Sequence, residues 1–554
     1  MNGLLISDFN VENLASYLKN DKQKPAFDSI KVSYGQVSQL LFDSAAEEWE
    51  PRPDFTVVWT RPEATLSRFQ AFLESQESSV EALLQQVDEF AAQLIRAASR
   101  TALLFVPLWS VPPLHGGHGL LDLSSRGGVA RALMRANDRL LDRLDGHSNI
   151  FPLLTSKWCE LAGAGAYSSR LWYLGKIPFS NDVFKAAAKD LRAALRGIQG
   201  KSRKVVICDL DDTLWGGIVG DDGWGQLVLG GHDPVGEALV DFQKQLKALT
   251  RRGVILGIVS KNEESVALEA IRQHPEMVLK LEDFAGWRIN WTDKAKNIVE
   301  LMAELNLGLD SAVFLDDNPV ERERVKEALP DVLVPDWPVD KKQYAQALLA
   351  LDCFDRPGIT QEDRSRAAMY TTDRQRDELR SSVGSLEDWL KQLQIVVKVA
   401  PLTPENLARA AQLLNKTNQM NLSTRRLTEG EFLAWGSAAD HWVWTVRVED
   451  KYGDSGLTGL LGLQVVDGRA RIVDFVLSCR VLGRKVEETM LHLAVEWARK
   501  MGLREVEALY LPTPKNKPCL DFFLKSGFVR KADERFIWSA DQPYARVPFV
   551  TLEK

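Results

Sequence analysis

The sequence predicts a multidomain α/β protein with a doubly wound parallel sheet at its centre, and three observations predict it. The chain has 554 residues, 45% of them hydrophobic, enough to bury several separate cores rather than one. Between residues 200 and 355, apolar β-rich runs alternate with amphipathic helical patterns, which is how βαβ units and parallel pairing read in a sequence. From Ile395 the texture changes to Val-rich strands, three of which read as an antiparallel run. These shifts divide the chain into an N-terminal α/β domain over 1–199, the doubly wound domain over 200–355, a charged helical connector over 356–394 and an α+β domain over 395–554.

In the first domain, Leu4-Leu-Ile-Ser-Asp-Phe-Asn10 reads as a strand and turn, Val80 to Ala98 as an amphipathic helix and Thr101 to Pro107 as a buried strand. The first block resembles the nucleophile block of SGNH hydrolases, in which a serine follows Gly-Asp. Phe9 stands in that serine's place, so the resemblance implies a flavodoxin-like α/β domain of that type without esterase activity. His115-Gly-Gly-His118 sits in a Gly/Pro-rich loop without further ligands and is expected to be an ordinary loop.

The central domain carries the chemistry. Lys204-Val-Val-Ile-Cys-Asp-Leu-Asp-Asp-Thr-Leu-Trp-Gly-Gly217 is an apolar strand that delivers Asp209, Asp211 and Thr213 to one turn. A second buried strand, Val254 to Lys261, ends in Ser260, and a third, Ala312 to Asn318, ends in Asp316 and Asp317. Lys294 lies between them, with Lys296 as a rival on another helix face. Helical patterns over Glu237 to Leu249, Glu263 to Gln273 and Lys294 to Leu305 separate the strands. A parallel sheet of this kind gathers its site at the strand C-termini. A carboxylate attacks phosphorus only when a metal and a lysine offset both charges, and oxygen-only ligands suit Mg²⁺ better than zinc.

Asp209-x-Asp211-x-Thr213, Ser260, Lys294 and Asp316-Asp317 resemble the four motifs of the haloacid dehalogenase (HAD) superfamily. The resemblance implies Asp209 as nucleophile, Asp211 as general acid and base, and Thr213, Ser260 and Lys294 as the groups around the phosphoryl. It places Mg²⁺ on Asp209, the Asp211 backbone carbonyl and Asp316 or Asp317. The spacings between Asp209, Ser260 and Lys294 leave no room for an inserted cap domain, only for a Gly-rich flap or hairpin over Trp215 to Trp224. The site is therefore expected to be open to a substrate carried on another protein. Leu307-Gly-Leu-Asp-Ser-Ala312 imitates a carrier attachment site, but the strand that follows should bury Ser311.

After the connector, whose Glu362 to Tyr370 stretch reads as a solvated spacer helix, come Trp442 to Arg447, Gly459 to Val466 and Arg471 to Leu477 as an antiparallel run. Ser478 to Lys485 and a long helix through Lys500 follow. A short Arg/Gly turn at a helix N-terminus offers backbone amides to an anion. This segment and Asn516 to Phe528 resemble the GNAT acyltransferase fold, with Arg480 and Gly483 matching its acyl-CoA loop and Lys485 standing where a second small residue belongs.

Taken with Asn415-Lys-Thr-Asn-Gln-Met-Asn-Leu-Ser-Thr-Arg-Arg426 and Asp450-Lys-Tyr-Gly-Asp-Ser-Gly456, the chain from residue 200 onward resembles the FkbH-like proteins, HAD subfamily IIIC. That resemblance implies a phosphatase and glyceryltransferase that loads a D-glyceryl unit from 1,3-bisphosphoglycerate onto the thiol of a separate acyl carrier protein, feeding secondary-metabolite biosynthesis. The polar string Asn418, Gln419, Asn421, Thr424 and Arg425 lines an acyl pocket or forms a capped loop; Asp454, beside Tyr452, joins it or forms a hairpin. Cys479, beside Arg480 at a helix entrance, is either an acyl nucleophile or a packed thiol, whereas strand alternation turns Cys208 away from the site. Two alternatives stay open: a phosphatase acting on a sugar phosphate or phosphoprotein with a non-catalytic docking domain, and a non-enzymatic carrier-binding scaffold.

The net charge of −7, with acids and bases interspersed, argues against a nucleic-acid-binding face. Five scattered cysteines have neither zinc spacing nor a disulfide framework, which implies a reducing cytoplasm. No apolar run approaches membrane-spanning length, and the first residues do not read as a signal peptide.

Overall fold

The computed structural model describes residues 1–20, 25–43, 46–76, 78–111, 119–125, 127–358, 376, 379–380, 383–531 and 534–554, without the side chains of Lys416 and Cys479. His115, His118 and the Glu362 to Tyr370 stretch lie outside the described residues. The chain forms two compact units, Met1–Ser202 with Ala350–Gly358 and Arg203–Leu349 with Ile359–Lys554.

The first unit is built on five parallel strands: β1 (Asn2–Ser7), β2 (Ser29–Tyr34), β3 (Phe55–Trp59), β4 (Leu103–Pro107) and β5 (Ile150–Leu153), in the order β2-β1-β3-β4-β5. Period-two alternation along β1 sends Leu4 and Ile6 into one core with helices Val80–Ala98 and Val129–Leu144. Leu5 goes into the opposite core, with helix Asn181–Ile198. Both faces of the sheet are thus covered, as a parallel sheet demands. Phe9 is buried edge-on to Trp59, ring centroids 5.3 Å apart, so an aromatic core fills the place that a nucleophilic serine would need. The returning segment Ala350–Gly358 is tied down by an Arg196–Asp352 ion pair at 3.0 Å and by Ser202, whose hydroxyl donates to the Asp355 carbonyl.

Among its described residues, the second unit contains two sheets. Four parallel strands, β6 (Val205–Cys208), β7 (Ile255–Ser260), β8 (Phe284–Ile289) and β9 (Ala312–Leu315), run in the order β8-β7-β6-β9. Helices Pro234–Arg251, Glu264–Gln273, Lys294–Glu304 and Pro319–Ala328 connect or follow them, so the predicted alternation is present. The edge strand β8 has no counterpart in the sequence reading: Gly286 and Arg288 interrupt its apolar run. Gly257 and Gly286 let helix Lys294–Glu304 settle onto the sheet, because a Cβ at either would lie 2.9 Å from the Leu301 methyls.

The other sheet has nine strands: β10 (Ile395–Pro401), β11 (Met420–Asn421), β12 (His441–Asp450), β13 (Gly453–Val466), β14 (Arg469–Leu477), β15 (Glu505–Leu509), β16 (Val529–Arg530), β17 (Arg535–Ser539) and β18 (Val550–Glu553). β12, β13 and β14 form the predicted antiparallel run. Helix Val486–Lys500 crosses from β14 to the parallel strand β15. β15 pairs with β14 only at Ala470–Ile472, while β11 takes the far end at Val476 and Leu477. The architecture is therefore multidomain α/β with parallel and mixed sheets. Among the described residues, no helix is long and apolar enough to cross a membrane.

Candidate active site

The site lies at the C-terminal edge of the four-stranded sheet. Asp209 continues β6, and its amide donates to the Leu315 carbonyl of β9 at 2.9 Å, which keeps the two strand ends side by side. The chain then turns through Asp212 at φ +56°, a left-handed conformation that Asp tolerates better than most residues. β9 delivers Asp316 and Asp317. Arg322, one turn into helix Pro319–Ala328, donates to both of their carbonyls at 2.8 and 2.7 Å and fixes the turn.

Lys294 opens helix Lys294–Glu304, whose N-cap Asp293 accepts the Lys296 amide. Its ammonium is almost wholly buried, 3.1 Å from Asp209 Oδ2 and 2.6 Å from Asp316 Oδ2. Lys296 points to solvent, 3.9 Å from Glu300, so Lys294 is the lysine at the site. Ser260 is buried at the end of β7, and its carbonyl accepts the Asn290 amide. Thr213 spends its hydroxyl on Asp317, donating to Oδ1 at 3.2 Å while accepting the Asp317 amide at 3.1 Å.

Asp209, Asp316 and Asp317 each offer a carboxylate oxygen, and these oxygens lie within 4.8 Å of one another. Burial, then repulsion from Asp209, pushes the Asp316 carboxyl up to about 6, with Lys294 opposing. Asp317 is raised by burial and by Asp209 and Asp212. Burial works against the charge on Lys294, but Asp209 and Asp316 outweigh it and hold the ammonium above its ordinary range. One lysine cannot neutralise three carboxylates. Asp209 Oδ1 is buried without a hydrogen-bond partner among the described residues and faces the other two carboxylates, which leaves it free to accept a cation. The all-oxygen donor set and this orphaned atom fit Mg²⁺.

Asp211 has its carboxyl raised by burial against the pull of Val219 and Trp215. Its side chain is not one of the three clustered carboxylates, because N–H groups of Trp215, Val219 and Asn262 surround it. Any part it takes in holding a metal falls to its backbone carbonyl. Asn262 is absent from the sequence reading; the available signal was a polar residue two positions past the strand-ending Ser260.

The remaining expected site residues belong to the nine-stranded sheet. Asn421 is buried, donating to Thr417 and accepting the Thr424 amide. Arg425 pairs with the fully buried Asp474, Nε to Oδ1 at 2.7 Å, and lies 4.0 Å above the Trp435 ring. Asn418 accepts from Arg426, and Gln419 reaches Asn306 at 3.5 Å. Asp454 sits in the β12–β13 hairpin, paired with Arg447. Arg480 lies in the turn Cys479–Val481, and the Cys479 side chain is outside the described set. Gly483 takes φ +75°, and its amide donates to Glu487 at 2.8 Å. Cys208 is fully buried and its thiol is pushed up by burial. Ser311 is buried with its hydroxyl on the Gly308 carbonyl.

No family model and no curated protein matches the chain. Among solved structures it is similar to the N-terminal part of the protein BF1531 from Bacteroides fragilis, which contains a phosphatase domain complexed with Mg, at 28% identity and a TM-score of 0.59 over 65% of this chain and 95% of that one. The ribosomal-protein-S18-alanine N-acetyltransferase from Escherichia coli overlaps 27% of this chain and 96% of its own at 12% identity and a TM-score of 0.20. The PaiA N-acetyltransferase from Thermoplasma acidophilum in complex with coenzyme A overlaps 26% and 96% at 18% identity and 0.21. Overlaps this slight do not bear on what the nine-stranded sheet does.

Proposed function

We propose that the four-stranded sheet houses a Mg²⁺-dependent phosphohydrolase of the HAD type with Asp209 as its nucleophile. The observation that carries the reading is the buried Asp209 carboxylate, one oxygen against Lys294 and the other without a partner, facing Asp316 and Asp317. Mg²⁺ would be held by Asp209, Asp316, Asp317 and the Asp211 carbonyl and would supply positive charge against a phosphate dianion. Asp209 attacks phosphorus; the bond to the leaving oxygen breaks, and Asp211 gives that oxygen its proton. Water then attacks the aspartyl phosphate, passes a proton to Asp211 and frees inorganic phosphate. Lys294 stays close to the transferring group throughout, balancing its charge as it moves onto Asp209. Ser260, at the end of the neighbouring strand, is assigned to a phosphoryl oxygen.

The finer reading assigns the phosphate to a three-carbon substrate. A carrier thiolate attacks the acyl carbon of 1,3-bisphosphoglycerate, the C–O bond to the acyl phosphate breaks, and the remaining phosphate ester is hydrolysed at Asp209. What supports this reading is the sequence resemblance to FkbH-like proteins. The polar string from Asn418 to Arg425, with Asp454, Arg480, Gly483 and Cys479, is assigned to the acyl side, in a cytoplasmic protein. Incubation with Mg²⁺, 1,3-bisphosphoglycerate and an acyl carrier protein tests both parts. A glyceryl mass gain on the carrier with phosphate release supports the full reading, phosphate release alone leaves only the phosphatase, and neither removes both. Asp209→Asn abolishes release of the ester phosphate, so that the carrier keeps a phosphoglyceryl rather than a glyceryl group, while the fold stays intact.

A further inference from the structure

Asp211 is gripped from two sides. Trp215 Nε1 at 2.8 Å and the Val219 backbone N–H at 3.1 Å both donate to Oδ1, and Asn262 Nδ2 donates to Oδ2 at 2.8 Å. Asn262 is buried, and its Oδ1 accepts the Glu263 amide at 3.0 Å, which leaves only its NH₂ end to face Asp211. Trp215 is buried too, and a buried indole N–H requires an acceptor; Asp211 is the one it has. Val219 begins the turn Val219–Asp222 on the flap, whose base is closed by two main-chain bonds between Gly216 and Val228, at 3.0 and 2.9 Å. The next flap residue, Gly220, passes over the same carboxamide: a Cβ there would lie 3.7 Å from Asn262 Oδ1.

We infer that Asn262, the Trp215 indole and the Val219 main-chain amide form a clamp that aims the Asp211 carboxyl at the leaving-group oxygen, so that the seated flap is part of the proton-transfer apparatus. The inference rests on the phosphoryl-transfer reading, in which Asp211 protonates the departing oxygen. Three N–H donors fix both torsions of this short side chain, while Oδ2, with a single donor, keeps a lone-pair direction for the proton it must carry. The two sides of the clamp come from different segments, the flap after β6 and the loop after β7. A displaced flap therefore withdraws the Val219 amide and leaves Oδ1 held by the Trp215 indole alone. Asn262 and Trp215 are positioning residues, acting through Asp211.

The strength with which a leaving group holds its electron pair separates aimed from misaimed protonation. An alkoxide leaves only with a proton, whereas p-nitrophenolate leaves without one. The full chain with Mg²⁺ is assayed on glycerol 3-phosphate and on p-nitrophenyl phosphate, comparing kcat/KM, which counts the steps up to phosphoryl transfer and not the later hydrolysis. Asn262→Leu removes one side of the clamp. Val219→Pro removes the flap amide at a helix-opening position that accepts proline, behind Ile218 whose φ of −111° and ψ of 109° suit a pre-proline residue. In both variants the ratio of aryl to alkyl kcat/KM rises about tenfold, the effect of losing one hydrogen bond to a charged group. A ratio that fails to rise in either folded variant overturns the clamp; should Val219→Pro not fold, Asn262→Leu alone decides. Asp209→Asn is the separate control: if it still turns over either ester, the phosphoryl-transfer reading falls, whatever the ratios show.

Discussion

Single residues decide the chemistry here, and their roles separate by what they touch. Lys294 and Lys296 are two positions apart on one helix, and sequence alone left both in contention; the helical turn buries the first between two carboxylates and leaves the second in water. Arg425 reads as part of either an acyl pocket or a capped loop, and its fork closes on Asp474, which has no contact with solvent. Arg425→Met leaves that carboxylate buried and unpaired, so chemical denaturation should show a loss of about 3–5 kcal/mol in the stability of this sheet. Gly462 makes the room for Asp474, since a Cβ there would lie 2.6 Å from Oδ2; Gly462→Ala lowers the melting temperature for the same reason. Glu487 is legible only in three dimensions. Burial pushes its carboxyl up to about 7 from an ordinary 4.5, despite the Gly483 amide. A folded-state value above the unfolded one contributes stability below pH 4.5 that is lost as pH rises through about 7. Denaturation midpoints of the wild type should therefore fall between pH 5 and 8, by roughly 3 kcal/mol at most from this group, and Glu487→Gln should flatten the slope.

At the scale of elements, the parts that could be read ahead were those whose periodicity was long and uninterrupted. The helix read over Val80 to Ala98 has those bounds in the structure because its apolar face repeats for five turns and Ser79 caps it. Strands β6, β7 and β9 announced themselves as apolar runs ending in polar residues. Strand β8 did not: Phe284-Ala-Gly-Trp-Arg-Ile289 alternates poorly because it lies at a sheet edge, where Arg288 is paired with Glu304 at 2.6 Å. The flap was visible from its glycines, but not its contact with Asp211, which depends on a main-chain amide that no side-chain pattern records. Helix Pro234–Arg251 is started by Asp233, whose Oδ1 accepts the amides of Val235 and Gly236. Asp233→Ala costs about 1 kcal/mol in thermal denaturation, with phosphatase kinetics unaffected, because the cap touches nothing in the site.

At the scale of the whole chain, the alternation of strands and helices between residues 200 and 355 was legible, whereas the return of Ala350–Gly358 to the first unit was not, since it depends on which distant segments pack together. Three clustered carboxylates with a single buried lysine store repulsion that a divalent cation relieves. Titrating MgCl₂ into the chelator-treated protein should raise its thermal transition, and Asp317→Asn should weaken that rise; a transition indifferent to the ion would count against the metal centre. The first unit consists of Met1–Ser202 together with the returning segment Ala350–Gly358. Between Ser202 and Ala350 the polypeptide makes an excursion that contains every strand of the four-stranded sheet. During synthesis, the amino-terminal unit therefore cannot finish until the ribosome has released the whole excursion, and the part translated first becomes complete only after that sheet has emerged.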